Sequence, residues 1–359
     1  MLGNSSSSSS PNCTLCSQDF AGGVCKILLM VFLIVAISLG NVVSLLVFLC
    51  VKQFRSPQGY LKASLALTDF IIGVIVVPYS VYREVNRLAY GVEQEPAESG
   101  ELACYIIGPI FAGSTFVSIT TIFLLSVERS IAVLKPLHKK AVITKRRTLW
   151  LILLTWALSY CMAVIPMLAS SDITQQYNSC SNLCTYEFPA NKPPQSHWNI
   201  MLLYPVFDFS LLGSTLIINV VTFAALHQYC KIRKQLGVEL QSGSQLSFLD
   251  INAAKTIGIL TFAFAAAFSP IAVFVVGSVM GYKWCHFSFY AFWILTSNSC
   301  WNVAIYSIWD PKFRLGVREL FGKKVLKSVS QGPSHSMEVN STSMAGVVVL
   351  KDMFCMDNT

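Results

Sequence analysis

The stretch 27–49, ILLMVFLIVAISLGNVVSLLVFL, decides the fold of this chain. It contains no charged residue and is long enough for a helix to cross a hydrocarbon core of about 30 Å. It does not alternate apolar and polar residues as a strand of a membrane barrel would. Because only helices and closed barrels satisfy backbone hydrogen bonds inside lipid, the stretch predicts a membrane-spanning helix.

Six further apolar segments follow, and the seven predicted spans are 26–52, 59–83, 101–134, 147–169, 198–230, 251–281 and 286–308. Hydrophobic residues make up 54% of the chain and charged residues only 12%, whereas soluble domains carry about 25% charged residues. So few charges could not cover the surface of a soluble globule, which excludes a soluble enzyme. The sequence therefore predicts an all-α membrane protein, a bundle of seven transmembrane helices.

The orientation follows from lysine and arginine, which are concentrated in alternate connections. The loops after the first, third and fifth spans and the segment after the seventh are basic, with Lys52, Arg147, Lys231 and Arg314 among their residues. The positive-inside rule places these segments in the cytoplasm and the N-terminus outside a plasma-membrane protein. The net charge of +8 is then explained by membrane topology, and no nucleic-acid partner is expected.

Four regions are predicted along the chain. Residues 1–25 form an extracellular, serine-rich, disordered segment with glycosylation sequons at Asn4 and Asn12. Residues 26–308 form the bundle, and 309–322 form a short amphipathic eighth helix on the cytoplasmic face. Its basic residues should contact anionic lipid, and its apolar residues are Phe313, Val317, Leu320 and Phe321. Residues 323–359 form a polar cytoplasmic tail.

Short motifs occur in order through the spans. They are Gly40-Asn41, LALTD at 65–69, Cys104 and Glu128-Arg129-Ser130 at the two ends of the third span, Trp156, Phe268-Ser269-Pro270, Asn298-Ser299, and Asn302 followed by Val303, Ala304, Ile305 and Tyr306. In order and spacing this set resembles the rhodopsin-like (class A) G-protein-coupled receptors. The resemblance covers roughly residues 26–322.

The resemblance implies a receptor without enzymatic activity. It would pass an extracellular signal, such as a small molecule, to heterotrimeric G proteins by outward movement of the sixth helix. Arg129, next to Glu128, would pair with Asp250 in the resting state, and breaking that pair would release the sixth helix. Tyr306 and Pro270 belong to the same switch. Arrestin and a receptor kinase are further expected partners, through serines and threonines of the tail.

An acid in mid-membrane, Asp69, is costly and points to function. The resemblance implies a sodium ion held by Asp69 together with Ser118, Asn298, Ser299 and Asn302. Oxygen atoms are the ligands that hard cations prefer. The alternative is a polar network that only joins the helices. No other cofactor is expected.

The resemblance also implies a disulfide between Cys104 and the second outer loop. That loop offers Cys180 and Cys184, and Cys184 is favoured because it lies nearer the fifth span. Further outer cysteines allow a second bridge, whose connectivity the sequence leaves open.

Several segments resemble amine receptors, which carry an aspartate about two turns below Cys104. Here Phe111 stands at that position, followed by Ala112, so the usual amine salt bridge is absent. Thr296 stands where opsins carry the retinal lysine, which argues against a pigment. Asp208 in the fifth span is predicted to face the pocket, where it would meet a cationic ligand group or an internal hydrogen-bond donor. The remaining predicted lining is aromatic: Tyr204, Phe264, Phe268, Phe292 and Trp293.

Four positions depart from the family pattern, and one of them is Leu212, which stands at the usual proline position of the fifth span. Ser130 replaces an aromatic residue, Phe268 replaces a tryptophan, and Val303 replaces a proline, which should stiffen the seventh helix. These changes favour an alternative in which the chain is constitutively active, or is a receptor-fold protein that does not signal, such as a decoy or dimer partner. A transporter or channel is a weaker alternative, because the sequence lacks the paired halves of transporters.

Overall fold

The computed structural model describes residues 12–90, 97–135, 142–169, 173–187, 198–235, 248–280, 282 and 284–329. Within the helices, the side chains of 12–19, 97–101, 198–202, 229–235, 248–254, 279 and 323–329 lie outside that description. Asn4 and almost all of the polar tail are therefore outside the described residues.

The predicted all-α bundle is confirmed. The first span is α1 (Asn12–Cys50), and the second consists of α2 (Pro57–Ile71), a π-helical turn (Ile72–Val76) and α3 (Val77–Tyr90). The third to seventh spans are α4 (Ala97–Leu134), α5 (Lys145–Ala169), α6 (Trp198–Gln235), α7 (Phe248–Val279) and α8 (Cys285–Trp309). The eighth helix is α9 (Pro311–Val329).

Six of the seven spans are long and apolar enough to cross a membrane, by length and composition alone. The seventh, α8, has 25 residues and a more polar sequence. Its polar side chains Asn298, Ser299 and Asn302 are buried against the bundle. The helix can therefore carry them without exposing them to lipid.

The first helix begins earlier than predicted, so residues 12–25, expected to be disordered, are helical. The outer end of α1 packs against the end of α3. A Cβ atom placed on Gly23 would lie 2.7 Å from the side chain of Leu88, so the two helices approach closely there. Tertiary packing of this kind stabilises a helix end that composition alone disfavours.

The second outer loop contains a β-hairpin that the sequence reading did not predict. Strand β1 (Thr174–Asn178) pairs antiparallel with β2 (Leu183–Glu187). In the turn, the side-chain oxygen of Asn178 accepts hydrogen bonds from the backbone N–H groups of Cys180 (2.8 Å) and Ser181 (3.3 Å). Asn182 adopts a φ of 57°, a conformation that asparagine tolerates better than most residues. The end of the bundle that carries this hairpin is called the outer end below, following the predicted orientation.

The eighth helix begins at Pro311, two residues after the predicted start, and extends beyond residue 322 to Val329. Phe313 is buried, and Val317 and Leu320 pack against the same inner cluster. Phe321 is 47% exposed and does not join them, so three of the four predicted apolar side chains face the bundle.

The third span is the centre of the fold. Helix α4 contacts the second, fourth, fifth and sixth spans and both strands of the hairpin. Its side chains Ile119, Ile122 and Leu125 are fully buried in the main hydrophobic cluster. This arrangement leaves a cavity at the outer end, between α4 and the fifth to seventh spans.

Candidate ligand pocket and activation switch

The cavity lies under the hairpin and has a volume of about 190 Å³. Six of the nine residues predicted for the pocket line it: Phe111, Ala112, Tyr204, Asp208, Phe268 and Phe292. Strand β2 contributes Thr185 and Tyr186, which the sequence reading missed because it did not predict the hairpin.

Asp208 is the one charged residue among those that line the described cavity. Asp208 is 7% exposed, and its Oδ1 has no hydrogen-bond partner within the described part of the chain. The sequence reading left two possibilities for this acid, a ligand partner or an internal donor. No described donor reaches Oδ1, so the geometry favours a group supplied from the cavity.

Aromatic rings form the rest of the wall. Phe111, at the position where amine receptors carry an acid, lies with its ring 6.3 Å from that of Phe292. Phe268 stacks on Phe264 at 6.1 Å between ring centroids, and Phe264 lies behind it, away from the cavity. The cavity thus combines an apolar wall with a single carboxyl group on the fifth span.

Three predicted pocket residues lie elsewhere. Phe264 is in the core, and Thr296 donates its hydroxyl to the carbonyl oxygen of Phe292 at 2.8 Å. Trp293 Nε1 donates to the backbone oxygen of Ser181 in the hairpin turn at 2.9 Å. The rotation of α8 therefore makes Trp293 an anchor of the hairpin and not part of the cavity wall.

Two disulfides hold the hairpin over the cavity. Cys104 bonds to Cys184, as favoured, and the second bridge joins Cys180 to Cys285 at the start of α8. The turn is also held by Asn182, whose Nδ2 donates to the carboxylate of Glu84 at 2.6 Å.

Glu84 is fully buried, and its charge is balanced by Arg87. The guanidinium of Arg87 donates two hydrogen bonds to the carboxylate, at 2.6 and 2.9 Å. Because a buried unpaired carboxylate would be costly, this fork-like pair gives the hairpin a fixed polar contact on the second span.

Asp69 lies in mid-bundle and is 1% exposed. It accepts a hydrogen bond from Asn302 Nδ2 at 2.6 Å and also interacts with the Ser299 side chain. Ser118 contacts the Thr68 hydroxyl at 3.3 Å, and Asn298 is buried on the same face without a described bond to Asp69. Two of the four predicted partners of Asp69, Asn302 and Ser299, thus contact the carboxyl group.

The donor set around Asp69 fits a hard cation. Asn302 Oδ1 and Asn41 Oδ1 are buried oxygens without a hydrogen-bond partner among the described residues. Asn41 is held in place because its Nδ2 donates to the Ser299 carbonyl oxygen at 2.9 Å. Together with the Asp69 carboxylate, unsatisfied amide oxygens are the kind of ligand that a sodium ion would use.

At the inner end, Arg129 pairs with its neighbour Glu128. Nε and Nη2 donate to the two carboxylate oxygens at 2.5 and 2.8 Å, and both residues are buried. The side chain of Asp250 lies outside the described residues, so its pairing with Arg129 stays a prediction.

Tyr306 and Pro270 occupy the predicted positions of the switch. Tyr306 is 1% exposed, and its hydroxyl has no hydrogen-bond partner within the described part. Pro270 lies inside α7, two residues after Phe268. Because proline lacks an N–H, it leaves the carbonyl of Ala266 without its helical partner, a weak point at which the sixth helix can bend.

A polar contact among three spans was missed by the sequence reading. Asn219 Nδ2 on α6 donates to Ser126 Oγ on α4 and to Thr261 Oγ1 on α7, both at 3.0 Å. In the sequence, each of these residues is a single polar side chain in an apolar helix, and no motif marks it. Their contact joins the sixth span to the third and fifth.

Comparison with known proteins agrees with this geometry. The family model of the 7 transmembrane receptor (rhodopsin family) matches residues 40–306. Trace amine-associated receptor 8b of Rattus norvegicus is 24% identical over 90% of this chain and 94% of its own length. Trace amine-associated receptor 9 of Homo sapiens is 25% identical over 81% of this chain and 82% of its own length.

Melanopsin-B of Gadus morhua is also similar, at 25% identity over 77% of this chain and 44% of its own length. The family match covers most of the chain, from the last part of the first span to near the end of the seventh. These findings identify a multi-pass membrane receptor and not an enzyme. The chain belongs to the rhodopsin family of seven-transmembrane receptors.

Proposed function

We propose that the protein is a plasma-membrane receptor for a small amine, and that it signals to heterotrimeric G proteins by outward movement of the sixth helix. The observation that carries the proposal is the buried carboxyl group of Asp208, which lacks a partner for Oδ1 in an otherwise apolar cavity. A ligand ammonium would supply the missing donor and charge. The names of the trace amine-associated relatives agree with this class of ligand.

The ammonium of the ligand would pair with an acid on the fifth span and not with one on the third. Phe111 fills the third-span position, and Asp208, on the fifth span, lines the same cavity. Phe292 and Phe268 would then cover the apolar body of the ligand. A single carboxyl group at one side fits a ligand with one ammonium and an aromatic or aliphatic remainder.

The test is a G-protein activation assay in cells that express the chain, with a panel of primary, secondary and tertiary amines. We expect a saturable response to at least one amine, and we expect Arg129→Ala to remove it because the switch arginine is lost. Surface expression of both forms is the control. If no amine produces a response although the chain is expressed normally, the alternative of a receptor-fold protein that does not signal would be favoured. High activity without ligand that Arg129→Ala removes would favour constitutive activity.

We also propose that Asp69 binds sodium in the resting state. Sodium should then raise the melting temperature of the purified receptor, by an amount corresponding to about 1 kcal/mol when its concentration exceeds the dissociation constant several-fold. Asp69→Asn should remove this dependence. Choline at equal ionic strength controls for screening, and Asp208→Asn controls for loss of a different buried acid. Equal sodium dependence in Asp69→Asn and the unchanged receptor would refute the site.

The membrane orientation and the remaining partners belong to the same proposal. The N-terminus with Asn4 and Asn12 would be extracellular and glycosylated, and the tail would be phosphorylated by a receptor kinase and would bind arrestin. The basic residues around α9, such as Arg314 and Arg318, would contact anionic lipid.

A further inference from the structure

A lysine is buried near the inner end of the second span. Lys62 is 3% exposed, and its Nζ lies 2.8 Å from Oδ2 of Asp310, which is 9% exposed. A buried ammonium is costly unless it is paired, and here the partner lies in the short link between α8 and α9. The ion pair therefore ties the second span to the start of the eighth helix.

The same ammonium also contacts the switch tyrosine. Lys62 Nζ lies 4.6 Å from the ring centroid of Tyr306 and 5.7 Å from that of Phe48. A cation above an aromatic face at these distances is attracted to the ring. Because the Tyr306 hydroxyl has no described partner, the position of this residue depends on its ring contacts.

The ring contacts of Tyr306 all come from one side of the bundle. Phe48 on α1 packs edge-on at 5.6 Å between ring centroids, and Phe313 on α9 lies at 5.8 Å. Lys62 completes this enclosure from the second span. Displacement of Tyr306 from this enclosure would break all three contacts.

Asp310 also stabilises the first turn of α9, the helix that carries Phe313. Its Oδ1 accepts the backbone N–H groups of Lys312 at 3.1 Å and Phe313 at 3.3 Å, which caps the first turn of α9. Burial raises the pKa of Asp310, but the Lys62 ammonium and these backbone donors lower it by more. The net pKa is below the ordinary value, so the carboxylate remains charged at neutral pH.

We infer that Lys62 is a positioning residue for Tyr306: with Asp310 it holds the tyrosine against α9, and the contact between the ammonium and the ring must open before the tyrosine can leave this position. The inference rests on the proposed function, because only a signalling receptor uses the switch to which Tyr306 belongs. It assigns to the buried pair a role in setting basal activity.

The test uses Lys62→Met, which keeps the length and apolar stem of the side chain and removes the charge. We expect basal G-protein activation per surface receptor to rise roughly three- to tenfold, the order of effect of one lost cation–π contact. Hydrogen exchange of the backbone amides of residues 303–315 in the purified receptor should become faster. Lys26→Met is the matched control, because Lys26 Nζ lies 4.9 Å from the Phe289 ring at the outer end; it should change neither quantity.

Two further variants separate positioning from simple destabilisation. In Lys62→Met/Tyr306→Ala the rise in basal activity should disappear, since Lys62 acts through the tyrosine; a rise that persists would overturn the inference. If Lys62→Met does not reach the surface, Lys62→Met/Asp310→Asn removes both buried charges and keeps a capping side chain. The same rise is expected there, and its absence would also overturn the inference.

The hydrogen-exchange measurement distinguishes failure of this inference from failure of the proposed function. If the unchanged receptor and every variant are silent toward G proteins, the exchange measurement still tests the contact. Faster exchange confined to residues 303–315 in Lys62→Met would support the positioning role, and unchanged exchange would refute it.

Discussion

Replacement of Asp208 by leucine is expected to abolish the response to amines and, at the same time, to make the receptor more stable. Asp208 is 7% exposed, and its Oδ1 has no described partner. A buried polar group without a partner costs about 1–3 kcal/mol, and an apolar side chain of similar size removes that cost. A gain in stability with loss of function is the pattern expected of a group retained for its ligand.

Asp208→Asn isolates the charge, because the two side chains have nearly the same shape. Loss of one partner of a buried charge pair typically costs about 2–5 kcal/mol. We therefore expect the potency of an active amine to fall by roughly 30-fold or more. The measurements are concentration–response curves in cells and the melting temperatures of purified receptor for both Asp208 variants.

Thr115→Val is the matched control in the same cavity. The Thr115 hydroxyl donates to the Phe111 carbonyl oxygen at 3.0 Å, so valine keeps the side-chain shape and removes no charge. The potency of an active amine at this variant should change by less than about threefold, because an intramolecular hydrogen bond contributes only about 1 kcal/mol net. Unchanged potency in Asp208→Asn, or a lower melting temperature in Asp208→Leu, would contradict the role of this acid.

The sequence predicted the pocket where local pattern was sufficient. Asp208 stood out because an acid in an apolar span is rare, and Phe111 because an expected acid was missing. The assignment of Trp293 and Thr296 to the pocket depended on the rotation of α8, which no local pattern sets. Trp293 turns toward Ser181 because the hairpin supplies a backbone acceptor, and the hairpin itself was not predicted.

Contacts between distant residues were beyond the reach of the sequence reading. Lys62 and Asp310 are 248 positions apart, and a lysine near the end of a span is usually interpreted as snorkelling to the interface. Likewise, Asn219 finds its partners 93 and 42 positions away. Long apolar segments supplied the predicted spans, and the family motifs supplied the switch residues. Lys62, Asp310 and Asn219 match no motif and acquire meaning only through packing.

Opening the second disulfide is expected to weaken ligand binding by loosening the hairpin above the cavity. Cys180–Cys285 links the hairpin turn to the start of α8, and the two cysteines are 105 positions apart in the chain. Cross-links across long loops restrict the unfolded chain most, and removal of a native disulfide typically costs about 2–5 kcal/mol. The Cys180→Ser/Cys285→Ser variant should therefore melt several degrees lower.

Loss of the second disulfide should lower amine potency only in part, because other contacts still hold the turn. Cys104–Cys184 still holds β2, and Trp293 and Asn182 still bind the turn from the seventh and second spans. Tyr186, which lines the cavity, lies on β2, so it should stay near its place but with more freedom. We expect a loss of amine potency of about tenfold, since ordering a loop side chain costs about 0.5–1.5 kcal/mol on binding.

Cys25→Ser provides the control for this pair, because Cys25 is an exposed free thiol on α1. It should leave both the melting temperature and the potency unchanged. If the double serine variant keeps full potency and only its melting temperature falls, the bridge stabilises the fold and does not shape the pocket. If potency falls as far as in Asp208→Asn, the hairpin and not the acid limits affinity, because the loosened lid alone would then account for the loss.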